Sequence, residues 1–152
     1  MDYRAAWSNA EIAIIVGAIT VIISTLLPWS SLTTINSYAT PIMTTTGHTG
    51  VEGPGILVLI GGIAVLVFGL LKRGSWKSTL SLGIYLMGML ALAYIIISPT
   101  YEAINSFNVH SGSGSFSMFA GFGQGFYLCI FGLLVIVIAS ISQMRNNKGN
   151  GK

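Results

Sequence analysis

The chain has 152 residues, of which 53 % are hydrophobic and 7 % are charged, whereas soluble domains carry about 25 % charged residues. So few charges exclude a water-soluble surface and indicate a single membrane domain, 1–152. The net charge of +3 comes from basic residues in three separate places, which form no stripe that would bind nucleic acid.

Four apolar stretches follow one another along the chain, each close to the ~20 residues with which a helix crosses a hydrocarbon core. We expect helical spans at about 9–27, 54–72, 78–98 and 119–143, because unpaired backbone groups in lipid leave no alternative to a helix. Outer loops 28–53 and 99–118 and an inner loop, 73–77, join these spans. The expected fold is therefore an all-α membrane protein, a bundle of four transmembrane helices.

The first span begins with a helix-start signal. Ser8 and Glu11 have the spacing of a capping box, so Glu11 is predicted to cap the helix rather than to act as a functional carboxylate. The span is followed by Pro28 and Trp29, without the small residues of a signal-peptidase site. We therefore interpret it as a retained helix and not as a cleaved signal peptide.

All seven basic residues fall on one side of the predicted membrane, and the two loops on the other side contain none. The positive-inside rule places that side, with both termini, in the cytoplasm. These residues are Arg4, Lys72, Arg73, Lys77, Arg145, Lys148 and Lys152.

Small residues recur every seven positions inside the spans, which is the spacing of a left-handed, tightly packed bundle. In lipid, close backbone approach through such residues replaces the hydrophobic drive between helices. Gly121-x-x-x-Gly125 fits either a dimerisation face or packing within the bundle, and we favour the latter. The predicted helix-packing residues are Gly17, Ser24, Gly55, Gly62, Gly69, Gly88, Gly121, Gly125, Gly132 and Ala139.

The second and fourth spans are alike in sequence. Aligning 53–67 with 123–137 gives six identical residues in fifteen positions, whereas the first and third spans show almost no identity at the same offset. A duplicated helix hairpin is one interpretation. Such parallel repeats occur in some transporters, but they are equally a simple way to build a bundle.

The outer loops are polar and mostly uncharged. The alternation at 32–35 and the many β-branched residues of the first loop allow a short strand or hairpin lying over the bundle. Segment 111–115 alternates Ser and Gly and predicts a flexible turn. We therefore expect short β or irregular structure in these loops.

Residues that could carry chemistry are scarce. The expected spans lack the ionisable relay that transporters usually keep, and the lone cysteine, Cys129, excludes a disulfide framework and a thiolate metal site. We expect no catalytic residue, no cofactor and no enzymatic activity of this chain alone.

Two histidines and two carboxylates of the outer loops are the metal-ligand candidates: His48, Glu52, Glu102 and His110. They would bind a transition metal if the loops brought them together. Scattered loop residues are more often simply solvated, which is the interpretation we favour. For Glu52 the alternative role is a local cap near the beginning of the second span.

Leu27-Pro28-Trp29 opens the larger outer loop, and Gly-x-Gly precedes the second and fourth spans. This plan resembles that of small uncharacterised prokaryotic tetraspan proteins over the whole chain, and the resemblance implies a fold and no activity. The topology is also similar to that of the claudins. However, no Gly-Leu-Trp follows Trp29 and the first outer loop has no cysteine, so claudin function is not carried over.

Two functional hypotheses from different classes follow. The first is a non-catalytic structural or accessory membrane protein that packs with itself or with a larger membrane complex. This hypothesis includes a component of an envelope or virion membrane. The second is a small oligomeric transporter or pore. A subunit of a membrane enzyme with an outer-loop metal site ranks third. The expected partners are membrane lipid and either further copies of the chain or subunits of a complex.

Overall fold

The computed structural model describes residues 7–37, 42–52, 55–70, 76–106, 108–111 and 114–149. Two pairs of strands are separated by a pair of helices, and one further helix stands at each end of this series. In order they are α1 (Asn9–Leu26), β1 (Pro28–Asn36), β2 (Ile42–Thr49), a 3-10 turn (Gly50–Glu52), α2 (Gly55–Leu70), α3 (Trp76–Asn105), β3 (Asn108–Ser111), β4 (Gly114–Phe122) and α4 (Gln124–Gly149).

The expectation of an all-α bundle is wrong, because the two segments predicted as outer loops form one antiparallel sheet. Its four strands lie in the order β2-β1-β4-β3, so the hairpin of the first segment pairs with the hairpin of the second through β1 and β4. The pattern at 32–35 allowed a short strand or hairpin, and these residues belong to a strand of nine residues. The reason is backbone pairing: each hairpin offers the other a row of N–H and C=O groups that would otherwise lack protein partners.

Three of the helices are long and apolar enough to cross a membrane, which is consistent with a membrane protein. They cover Asn9–Leu26, Thr79–Asn105 and Gln124–Asn146. The fourth helix, α2, is apolar but has only 16 residues within the described part of the chain. Among the described residues, three helices thus meet the length expected of a span.

The capping box predicted at the beginning of α1 is confirmed. The backbone N–H of Glu11 donates to Ser8 Oγ at 3.2 Å, and the backbone N–H of Ser8 donates to Glu11 Oε2 at 2.7 Å. Glu11 therefore stabilises the first turn of the helix.

α1 packs against α2 and α4, and α3 packs against α4 and, less extensively, against α2. Ile14, Val21, Leu133 and Ile136 are completely buried between these helices. Large apolar side chains also cover the outside, as the exposed series Ile12, Val16, Ile19 and Ile23 on α1 illustrates. A helix that is apolar on every side suits a hydrocarbon environment.

Most of the predicted helix-packing residues lie between helices. At Gly17 and Gly132, α1 and α4 approach each other closely. A Cβ atom on Gly17 would stand 2.9 Å from the carbonyl oxygen of Gly132, and one on Gly62 would stand 3.1 Å from Val21 Cγ1. Ser24 and Ala139 are buried. Gly55 and Gly125 lie at the ends of their helices that face the sheet, and Gly69 contacts α1.

Two of the predicted packing residues lie elsewhere. Gly88 has nothing within 4 Å of a built Cβ atom. Gly121 belongs to β4, because α4 begins only at Gln124. Gly121-x-x-x-Gly125 is therefore not a continuous helix face, because only Gly125 lies in α4.

Glycine at the contact between α1 and α4 yields the first prediction. A methyl group at Gly132 would meet Val21 Cγ2 at 2.9 Å and the carbonyl oxygen of Gly17 at 3.0 Å. We expect Gly132→Ala to lower the free energy of unfolding by about 1–3 kcal/mol through overpacking. The matched control is Gly88→Ala, where a methyl group meets open space, so that stability should be unchanged or slightly raised. Thermal unfolding in detergent measures both, and an equal loss of Tm in the two variants would contradict the account.

Candidate functional site

The sheet is joined to one end of the helix bundle, which we call the sheet end, through Trp29. The indole Nε1–H donates to the carbonyl oxygen of Ser24 in the last part of α1 at 2.8 Å. Two glycines make room for the ring: a Cβ on Gly50 or on Gly125 would lie 2.7 Å from an indole carbon. Any larger residue at either position would have to displace the indole or the backbone beside it.

Two further hydrogen-bonded links hold the second hairpin at the sheet end. The backbone N–H of Gly123 donates to the carbonyl oxygen of Trp29 at 2.8 Å. The Asn105 side chain pairs with both backbone groups of Ala120, accepting at 2.6 Å and donating at 3.1 Å. Because α3 continues through Pro99 to Asn105, part of the predicted outer loop 99–118 is helix, and its last residue anchors β4.

Aromatic rings fill the junction between sheet and helices. Phe126, in the first turn of α4, stacks on Phe122 at the end of β4 with ring centroids 4.5 Å apart. Trp29 meets Phe126 edge-on at 5.8 Å. From α3, Tyr94 stacks on the Phe122 ring and Tyr101 meets it edge-on. We call these five residues the aromatic cluster.

A cavity of about 160 Å³ lies beside the aromatic cluster, between the sheet and α3. Its lining is mostly apolar. The residues on which the following argument depends are Trp29, His48, Glu52, Tyr101, Phe122 and Phe126. Sheet, 3-10 turn and two helices each contribute side chains, so this cavity is the place in the described structure where most elements converge.

His48 and Glu52 form a hydrogen-bonded pair at the cavity. His48 Nδ1 lies 3.2 Å from Glu52 Oε2, and because a carboxylate only accepts, the imidazole N–H donates. Glu52 Oε2 also accepts from the backbone N–H of Thr49 at 3.2 Å, so Glu52 does cap its local backbone. Both side chains are more than half exposed, so the ion pair itself adds little stability.

The metal candidates do not all meet. His48 and Glu52 are in contact, and Glu102 lies on the exposed surface of α3. The backbone of His110 pairs with Ser115 in the sheet, while its side chain lies outside the described residues. In the part of the chain whose side chains are described, no three His, Cys, Asp or Glu residues come together.

Sequence reasoning missed the aromatic cluster and Asn105. Tyr94 and Tyr101 stand seven residues apart on α3, which indicates one helix face. Phe122 and Phe126 have helical spacing too, but they belong to different elements, because α4 begins between them. No local pattern marks Asn105, since its partner belongs to another strand.

No model of a known protein family matches the chain, and no curated protein matches its sequence significantly.

The Trp29 junction yields the second prediction. Trp29→Phe removes the hydrogen bond to Ser24 but keeps an aromatic ring, so we expect a loss of about 1–3 kcal/mol in the free energy of unfolding. Trp29→Ala also removes the ring and should cost more, about 3–5 kcal/mol. Thermal unfolding in detergent is the measurement, with Tyr85→Phe at an exposed position of α3 as the control. Unfolding temperatures that are the same in all three variants would show that Trp29 does not join the sheet to the bundle.

Proposed function

We propose that this chain is a multi-pass membrane protein with four spans and cytoplasmic termini, and that its role is structural. In this proposal it associates with further copies of itself or with a larger membrane complex. The observation that carries the association is the exposed, uncharged edge strand β2.

A fourth span at α2 is supported by its place in the bundle. α2 is apolar, packs on α1, and starts at the sheet end just after the 3-10 turn. Sixteen residues of helix extend about 24 Å, which is close to the ~30 Å of a hydrocarbon core. Residues 71–75, which follow it, lie outside the described part of the chain.

The orientation is supported by charge. Segments 28–53 and 99–118, which hold the strands, contain no Lys or Arg. In the proposed topology all basic residues fall on the opposite side of the membrane from these segments, and the positive-inside rule assigns that side to the cytoplasm. The sheet would then stand on the outer surface of the membrane.

β2 is well suited to pair with another strand. It lies at the edge of the sheet, and residues Ile42 to His48 are exposed. Proteins commonly protect such an edge with lysine, proline or a short strand, but β2 has eight residues without Lys, Arg, Asp, Glu or Pro. In the described part of the chain no strand pairs with the outer side of β2, so its backbone donors and acceptors there are a template for β-strand addition.

The side chains of β2 also suit pairing with a second copy. Within the sheet, Thr45 pairs across to Thr33, and their hydroxyls lie 3.1 Å apart. Two β2 strands placed antiparallel about Thr45 would repeat this threonine pairing across the new contact. Copies in one membrane share their orientation, so the two strands meet without a change of side.

Cysteine cross-linking tests the association. In a Cys129→Ala background, we expect one of Thr44→Cys, Thr45→Cys or Thr46→Cys to form a disulfide-linked dimer in native membranes, since opposed strand positions bring Cα atoms within disulfide range. Thr33→Cys is the matched control, because β1 is covered by strands on both sides. If the β2 variants cross-link no more than this control, and the solubilised wild-type protein is a lone monomer with no co-purifying partner, the proposed association is wrong.

Cysteine labelling tests the four spans and the orientation. In the same background, a membrane-impermeant maleimide applied to intact cells should label Thr46→Cys, near the sheet end. It should label Asn146→Cys, near the far end of α4, only after permeabilisation. The opposite pattern would reverse the topology, and labelling of both positions in intact cells would contradict their separation by a membrane.

A further inference from the structure

The cavity beside the aromatic cluster has a chemical character that the structural role does not use. Four aromatic residues, Trp29, Tyr101, Phe122 and Phe126, are among its lining residues, and so is the carboxylate of Glu52. We propose that this cavity is a binding site for an organic ammonium ion, with a trimethylammonium group of the choline type as the ligand class.

The rings that line the cavity stand in more than one orientation, although Phe122 is stacked with Phe126 and, outside the cavity lining, with Tyr94. Phe122 and Phe126 are close to parallel, with 26° between their planes. Trp29 stands at 82° to Phe126, and Tyr101 stands at 64° to Phe122. Because the face of an aromatic ring is negative, each ring face that borders the cavity attracts a cation placed there. This is how aromatic cages recognise quaternary ammonium groups.

The volume of the cavity suits such a group. It measures about 160 Å³, and an apolar protein cavity of about 150 Å³ accommodates benzene. A trimethylammonium group has a bulk similar to that of benzene. A whole lipid molecule is far too large, so a lipid would enter by its headgroup only.

Charge at the sheet end favours a cation over an anion. Glu52 lines the cavity, while the sheet-forming segments 28–53 and 99–118 contain no Lys or Arg. The contacts of Glu52 with His48 and Thr49 use one carboxylate oxygen, Oε2, and a carboxylate has about four lone-pair sites. Glu52 can therefore attract an ammonium group while it stays paired.

Two sources could supply the same chemistry. The cavity lies where the apolar helices meet the polar sheet, which is the depth of lipid headgroups in the topology proposed above. A phosphatidylcholine headgroup and a free choline-like ion would both present a trimethylammonium group there. The site itself rests on the aromatic and acidic lining and does not depend on self-association of the chain.

A matched pair of ligands tests the proposal. The full-length chain with Trp7→Phe and Trp76→Phe keeps Trp29 as its one fluorophore of this type, and nanodiscs of phosphatidylglycerol supply no ammonium headgroup. Choline is titrated against 3,3-dimethylbutan-1-ol, which replaces the charged nitrogen by carbon and keeps the shape. We expect choline to change Trp29 fluorescence at a concentration about tenfold lower than the neutral alcohol does, in line with cation–π attraction in a desolvated site. Equal potency, or no response to choline, would overturn the proposal.

A matched pair of variants separates the site from general surface charge. Glu52→Gln should weaken the response to choline about fivefold or more and leave that to the neutral alcohol unchanged. Glu102→Gln removes the same charge from an exposed position that does not line the cavity, so choline should bind it as it binds the parent. If both variants weaken choline equally, the effect is surface electrostatics and the site is refuted.

Nanodiscs of phosphatidylcholine distinguish the two sources. A Trp29 spectrum that is already shifted and no longer responds to free choline would assign the site to the lipid headgroup. An unshifted spectrum with an undiminished response would assign it to a free cation. Both outcomes support an ammonium site, whereas absence of any choline-specific change in either lipid would contradict it.

Discussion

The seating of the Trp29 indole between two glycines is the contact on which the rest of this structure depends. The ring donates to the carbonyl oxygen of Ser24 in α1, and a Cβ on Gly50 or Gly125 would lie within 3 Å of the indole. One side chain thereby joins the end of α1, the turn before α2 and the beginning of α4. Because Trp29 is the second residue of β1, the position of the whole sheet follows from this packing. The aromatic cluster and the cavity beside it exist only while the sheet is held there.

Local signals predicted the parts of the fold whose causes are local. The capping box at Ser8 and Glu11 depends on residues three positions apart, and the apolar stretches depend on composition, so both could be read directly. The β-branched run around 32–35 likewise indicated a strand. The packing glycines at Gly17 and Gly132 were found because close helix approach requires small residues, whatever the partner.

The rest could not be predicted, because its causes are non-local. β1 pairs with β4, and backbone hydrogen bonds between strands so far apart in sequence leave no mark on residue type. The Asn105 side chain bonds the backbone of Ala120, which any residue would offer. Gly121 was placed in a helix because nothing local marks the boundary between β4 and α4. The cavity depends on all of these together, and therefore neither its aromatic walls nor the place of Glu52 could be foreseen.

A sheet anchored on apolar helices presents its exposed edge strand and the neighbouring cavity already ordered, which is what the two proposed binding roles require. Hydrogen–deuterium exchange of the chain in nanodiscs tests this account most directly, because amide protection reports local opening. The account predicts that amides of β1 and β4 are protected nearly as strongly as those at the centres of α1 and α4. Exchange of residues 28–36 and 114–122 at the rate of an unstructured peptide would show that no sheet is anchored at Trp29.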